Sequence, residues 1–81
     1  MRLTFYYRSG CHLCDDMWQQ LQEFRKERAF ELDPVDVDGS PQLQARYGTL
    51  VPVLARGDQE LCHYYLDPVA LNNCLQASDT V

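Results

Sequence analysis

Apolar positions along this chain repeat with two different periods. "RLTFYY", Arg2 to Tyr7, is dense in β-forming residues and reads as a strand. "RSG" breaks that pattern. Leu13, Met17, Trp18, Leu21 and Phe24 then recur at spacings of three and four, the mark of one helix face from about His12 to Arg28. Asp15 and Asp16 fall in its first turn and the basic "RKER" (Arg25 to Arg28) in its last, so the charges complement the helix dipole at both ends. "AFELDPVDVD", Ala29 to Asp38, holds a second strand with an interruption or bend expected near Pro34. Ser40, Pro41 and Gly48 supply the cap, first position and stop of a helix of about two turns. Leu50 to Arg56 and Glu60 to Leu66 read as third and fourth strands around the turn "RGDQ", close enough for an antiparallel hairpin. Asp67 and Pro68 open a final helix whose buried face carries Leu71, Cys74 and Leu75, and Ser78 to Val81 read as a frayed tail.

The resulting order, β-α-β-α-β-β-α, has no repeats or linkers. Its first strand–helix–strand unit implies a right-handed crossover and parallel pairing. The hairpin adds an antiparallel edge, so the expected fold is α/β: a mixed four-stranded sheet flanked by helices. With 81 residues the chain reads as one domain, residues 1–81. An apolar share of 46% is enough to build a core and argues against disorder.

Charge narrows the partners. Seven basic residues against twelve acidic ones give a net charge of −5, a field that repels phosphate backbones, so nucleic acid is not an expected partner. The apolar run in "MRLTFYYRSG" is too short for a signal-peptide core, and nothing approaches the roughly 20 apolar residues of a membrane helix. A cytoplasmic location and a monomer without membrane attachment are the default expectations.

Four cysteines are distributed unevenly. Cys11 and Cys14 form a local pair, while Cys62 and Cys74 stand singly within apolar patterns and read as buried packing residues. A C-x-x-C pair after a strand, at the start of a helix, has a redox logic. Unpaired backbone N–H groups there stabilise an anion, favouring a thiolate at Cys11. Cys14, one turn on, is within reach of a disulfide and faces inward beside Met17 and Trp18. Arg8, and His12 when protonated, support the thiolate, while Asp15 and Asp16 oppose it. The expectation is a Cys11 pKa below the free value of about 8.5. Two plainer readings stay open at this point: simple packing, and half of a metal site. The metal reading lacks a second pair at regular spacing, and neighbouring Cys62 and His63 on a strand would point to opposite faces. Trp18, Tyr6 and Tyr7 read as packing residues, and His63 as a partly exposed strand residue.

Four stretches in the same order resemble the glutaredoxin-like proteins of the thioredoxin fold, over about residues 2 to 77: "LTFYYRSGCHLC", "VDVDGSPQLQARYG", "LVPVL" and "LDPVAL". The resemblance implies a thiol–disulfide oxidoreductase with Cys11 as nucleophile and Cys14 as resolving thiol. It implies a cis Val51–Pro52 bond close to Cys11, with the Val51 backbone pairing with the backbone of a substrate cysteine. Arg8, His12, Leu13, Val51, Pro52, Tyr65 and Asp67 become the substrate-binding set, with no metal ligand. No bound cofactor is implied. Glutathione is a possible co-substrate, and the expected partners are disulfides of proteins or small molecules, with glutathione or a thioredoxin-type reductase as further candidates. Two features depart from the family. His12-Leu13 stands where Pro-Tyr is usual, and Tyr64-Tyr65 stands roughly where many members have Gly-Gly. Two rival functions follow: an iron–sulfur or other metal-binding module built through Cys11, and a redox-silent binding domain.

Overall fold

The computed structural model describes the backbone of residues 1–79 and the side chains of residues 1–76. Four strands, β1 (Arg2–Tyr7), β2 (Glu31–Asp36), β3 (Val53–Arg56) and β4 (Gln59–His63), form one sheet in the order β2-β1-β3-β4. Three helices complete it: α1 (His12–Glu27), α2 (Pro41–Tyr47) and α3 (Pro68–Asp79). β1 and β2 pair in parallel, as a single helical crossover requires, and β3 is antiparallel to both β1 and β4. The α/β architecture expected from the sequence is the one observed.

Alternation along β1 divides the core in two. Leu3 and Phe5 are buried on one face with Met17 and Leu21 of α1 and Leu71 and Leu75 of α3. On the other face Tyr6 stacks on Tyr47 of α2, with ring centroids 4.3 Å apart, beside buried Val37 and Val53. The caps behave as their sequences indicate. Ser40 Oγ accepts the Leu43 N–H at 3.4 Å, and Asp67 Oδ1 accepts the N–H groups of Val69 and Ala70, both at 3.1 Å. Arg25 donates to the Phe30 carbonyl at 3.2 Å, tying the basic end of α1 to the start of β2.

Several boundaries differ from the sequence reading, each for a local reason. Pro34 does not interrupt β2: it pairs opposite Phe5. β2 is an edge strand, the place in a sheet where a residue without an N–H is tolerated. Residues 37–39 form a 3-10 turn instead of extending β2, because the Asp36 carboxylate accepts the Asp38 N–H at 2.9 Å. The third strand begins at Val53, not Leu50. The N–H groups of Leu50 and Val51 both turn back to the Tyr47 carbonyl, at 2.9 and 3.1 Å, and Pro52 has none to give. The fourth strand ends at His63, because Tyr64 adopts a left-handed backbone, φ +64°. Helix α3 runs through Ser78 and Asp79, which were expected to fray; Thr80 and Val81 lie outside the described residues.

Candidate active site

The end of β1 delivers the chain to α1 through Arg8, Ser9 and Gly10. Gly10 takes φ +77°, a left-handed turn that a side chain would disfavour. The turn places Cys11 at the N-cap of α1 with an extended backbone. Its carbonyl accepts the first helical bond, from the Asp15 N–H at 3.2 Å, and its Sγ accepts the Cys14 N–H at 3.1 Å. A sulfur thus occupies the position where a Ser or Asp oxygen caps most helices. Cys11 and Cys14 are joined in a disulfide, with their Cα atoms 5.2 Å apart. The two sulfurs are not equivalent: Cys14 is 3% exposed and belongs to the core, whereas Cys11 is half-buried at its edge. One partner is reachable from solvent and the other is shielded.

Val51–Pro52 is a cis peptide bond, as the sequence resemblance implied. Pro52 is buried, and Val51 borders the same core cluster as Cys11. The Pro52 carbonyl accepts the Tyr64 N–H at 2.9 Å, so the turn after β4 is fastened to this segment. The Tyr64 hydroxyl donates to the Thr49 carbonyl at 2.9 Å, a second fastening on the same loop.

Residues 2–76 match the model of the glutaredoxin-like domain (DUF836). The chain belongs to this glutaredoxin-like family. Among solved structures, the glutaredoxin-like protein is similar to protein Ne2328 from Nitrosomonas europaea, at 41% identity and a TM-score of 0.82 over 91% of this chain and 89% of that one. It also resembles protein XcR50 from X. campestris, at 36% identity and a TM-score of 0.73 over 93% and 96% of the two chains. An uncharacterized protein of Mycobacterium tuberculosis (strain ATCC 25618 / H37Rv) is 32% identical over 65 residues, covering 74% of this chain and 67% of the relative. Oxidized mitochondrial thioredoxin 3 from Saccharomyces cerevisiae shares the fold, at 22% identity and a TM-score of 0.63 over 94% of this chain and 76% of that one.

The sequence-predicted site residues occupy distinct places around the disulfide. His12 is exposed at the first position of α1, and Leu13 is half-buried beside a groove. Tyr65, 71% exposed, lines the same groove. Asp67 is committed to capping α3. Arg8 is committed as well. Its Nη2 and Nε donate to Asp38 Oδ1 at 2.8 and 3.2 Å, and its Nη1 donates to the Gly48 carbonyl at 3.3 Å. The Arg8 side-chain hydrogen bond holds the Asp38 carboxyl below its ordinary range, and the same bond raises Arg8. The cation three residues before Cys11 is therefore already partnered within the fold.

Trp18 and Asp38 stand beside the site but outside the expected substrate-binding set. Trp18, expected as core, is half-buried; its ring centre lies 5.3 Å from that of Phe5, and it lines a recess of about 260 Å³ with Cys14, Asp15 and Pro34. Its i+4 spacing from Cys14 was the available clue. Asp38 became visible only once the fold brought it to Arg8. Cys62 and Cys74 are half-buried rather than fully buried, and neither forms a disulfide among the described residues. Burial pushes the Cys62 thiol up, which keeps it protonated, and the Cys74 thiol lies 3.7 Å from Met1 Sδ. Among the described residues no three Cys, His, Asp or Glu side chains gather as a metal-binding group. No helix among them is long and apolar enough to cross a membrane.

Proposed function

We propose that this glutaredoxin-like protein is a thiol–disulfide oxidoreductase that cycles between the Cys11–Cys14 disulfide and the dithiol. The observation that carries the reading is the unequal pair: a half-buried cysteine capping a helix at the edge of the core, bonded to a buried cysteine one turn inward. In the dithiol form the Cys14 N–H and the other free amides of the first turn favour negative charge on Cys11 Sγ. The Cys11 thiolate attacks one sulfur of a substrate disulfide, forming a mixed disulfide. The other substrate sulfur leaves as a thiolate and takes a proton from water. Deprotonated Cys14 then attacks Cys11 Sγ, forming the intramolecular disulfide and releasing the second substrate thiol. Two electrons pass from protein to substrate, and a thiol donor returns them. The Val51–Pro52 segment is the surface against which the substrate cysteine backbone rests.

Single substitutions separate the two roles. Cys11→Ser abolishes exchange with a small disulfide. Cys14→Ser retains the first attack and accumulates a mixed disulfide, visible as a mass adduct on Cys11. If Cys11→Ser reduces a model disulfide as fast as the wild type, the assignment is wrong.

A further inference from the structure

A groove of about 340 Å³ runs between the first two turns of α1 and the turn after β4. Leu13, Asp16 and Met17 line one side, and Tyr64, Tyr65 and Leu66 the other. Tyr64 on its rim is fastened to the Pro52 carbonyl, and Val51 and Cys11 border the same core cluster, so the groove lies on the side of the fold that carries the disulfide pair. The volume is at the small end for a ligand site, with room for a few side chains.

Three observations say what the groove takes. Among the described residues, two of the large apolar side chains that remain exposed, Tyr64 (39%) and Tyr65 (71%), both line this groove. Exposed aromatic clusters of this kind mark surfaces that meet polypeptide. Tyr64 is held in a left-handed conformation that tyrosine disfavours, and its hydroxyl and N–H are both tied to the 49–52 loop. It is a fixed wall, not a mobile surface side chain. The electrostatics are one-sided. Asp16 is the only charged residue lining the groove among the described residues, His12 does not line it, and Arg8 is paired with Asp38. Net charge −5 adds a field of the same sign.

Resting on the oxidoreductase reading, we propose that this groove binds the polypeptide beside a substrate disulfide and selects segments carrying lysine or arginine. It discriminates against glutathione disulfide, whose halves each bear two carboxylates and one ammonium and would meet Asp16 without a free cation to receive them. The electron bookkeeping is that of the exchange above: the protein dithiol is oxidised, and the substrate disulfide becomes two thiols.

The test uses the full chain reduced with dithiothreitol, freed of excess reductant, and mixed with three kinds of disulfide. These are bis(2-hydroxyethyl) disulfide, glutathione disulfide, and a peptide disulfide in two forms, with lysines or glutamates flanking the cysteine. The lysine peptide is expected to react at least about tenfold faster than the glutamate peptide at low salt, with the ratio shrinking as salt rises. Glutathione disulfide falls below the lysine peptide. Asp16→Asn lowers the lysine-to-glutamate ratio by about threefold, the effect of one charge some 6 Å away in water. Tyr65→Ala slows the lysine peptide relative to the small uncharged disulfide by about fivefold. Equal peptide rates, a faster reaction with glutathione disulfide, or ratios unmoved by both variants overturn the proposal while leaving the oxidoreductase intact. No reaction of the wild type with the small uncharged disulfide removes the oxidoreductase reading itself.

Discussion

At Arg8 the guanidinium donates to Asp38 and to the Gly48 carbonyl, and that pairing links the end of β1 to the 3-10 turn and the end of α2. The sequence shows a cation three residues before Cys11 but gives no sign of its partner, which lies thirty positions away. The pairing has a pH signature. The folded-state pKa of Asp38 is depressed, so the ion pair's contribution is present above the ordinary carboxylate range and is lost as pH falls through the folded value. Thermal melts of the wild type and Asp38→Asn check this. The wild type is expected to melt higher near pH 7, and the gap to shrink as pH falls below the ordinary carboxylate value of about 3.9. A gap unchanged at low pH refutes the role assigned to Asp38. The pair is partly exposed, so the difference is small in either case.

At the scale of elements, caps and helix starts were legible because their signals lie within one turn. Ser40-Pro41 and Asp67-Pro68 open helices where their chemistry indicates, and C-x-x-C sits where a helix begins. Strand ends were less legible. A run such as Glu60 to Leu66 contains no breaker residue, yet the ladder stops at Tyr64 because its N–H goes to Pro52 and its φ turns positive. That conformation predicts an inversion of the usual order of substitutions. Tyr64→Gly and Tyr64→Ala remove the same ring and hydroxyl bond, so their difference isolates the backbone. The glycine variant is expected to be more stable by about 1 kcal/mol, although alanine normally wins. Urea unfolding of the two variants measures it, and an alanine variant as stable as the glycine one contradicts a left-handed Tyr64.

For the whole molecule, the sheet separates a larger core under α1 and α3 from a smaller one under α2. Leu21 is fully buried in the larger core, whose members include Cys14. A chain of this length has a net stability of about 4–12 kcal/mol. Leu21→Ala is expected to cost about 2–5 kcal/mol, a large fraction of it, as a fall in the denaturant midpoint with an unchanged slope. A loss under 1 kcal/mol indicates that the site collapses around the missing atoms. The same core fixes the shielded sulfur, so loss of packing there is expected to loosen the geometry of the disulfide pair as well.

Element order, the parallel first crossover, the helix caps, and a Cys11 at a helix start with Cys14 turned inward were all legible along the chain. These depend on residues within a few positions of one another, or on handedness rules that hold for any such chain. The folded molecule was needed to show that Arg8 is spent on Asp38, that Cys62 and Cys74 lie half-buried, and that Leu13, Asp16, Tyr64 and Tyr65 share one groove. Each of these joins residues far apart in sequence, and the sheet order and the two core faces set which of them meet.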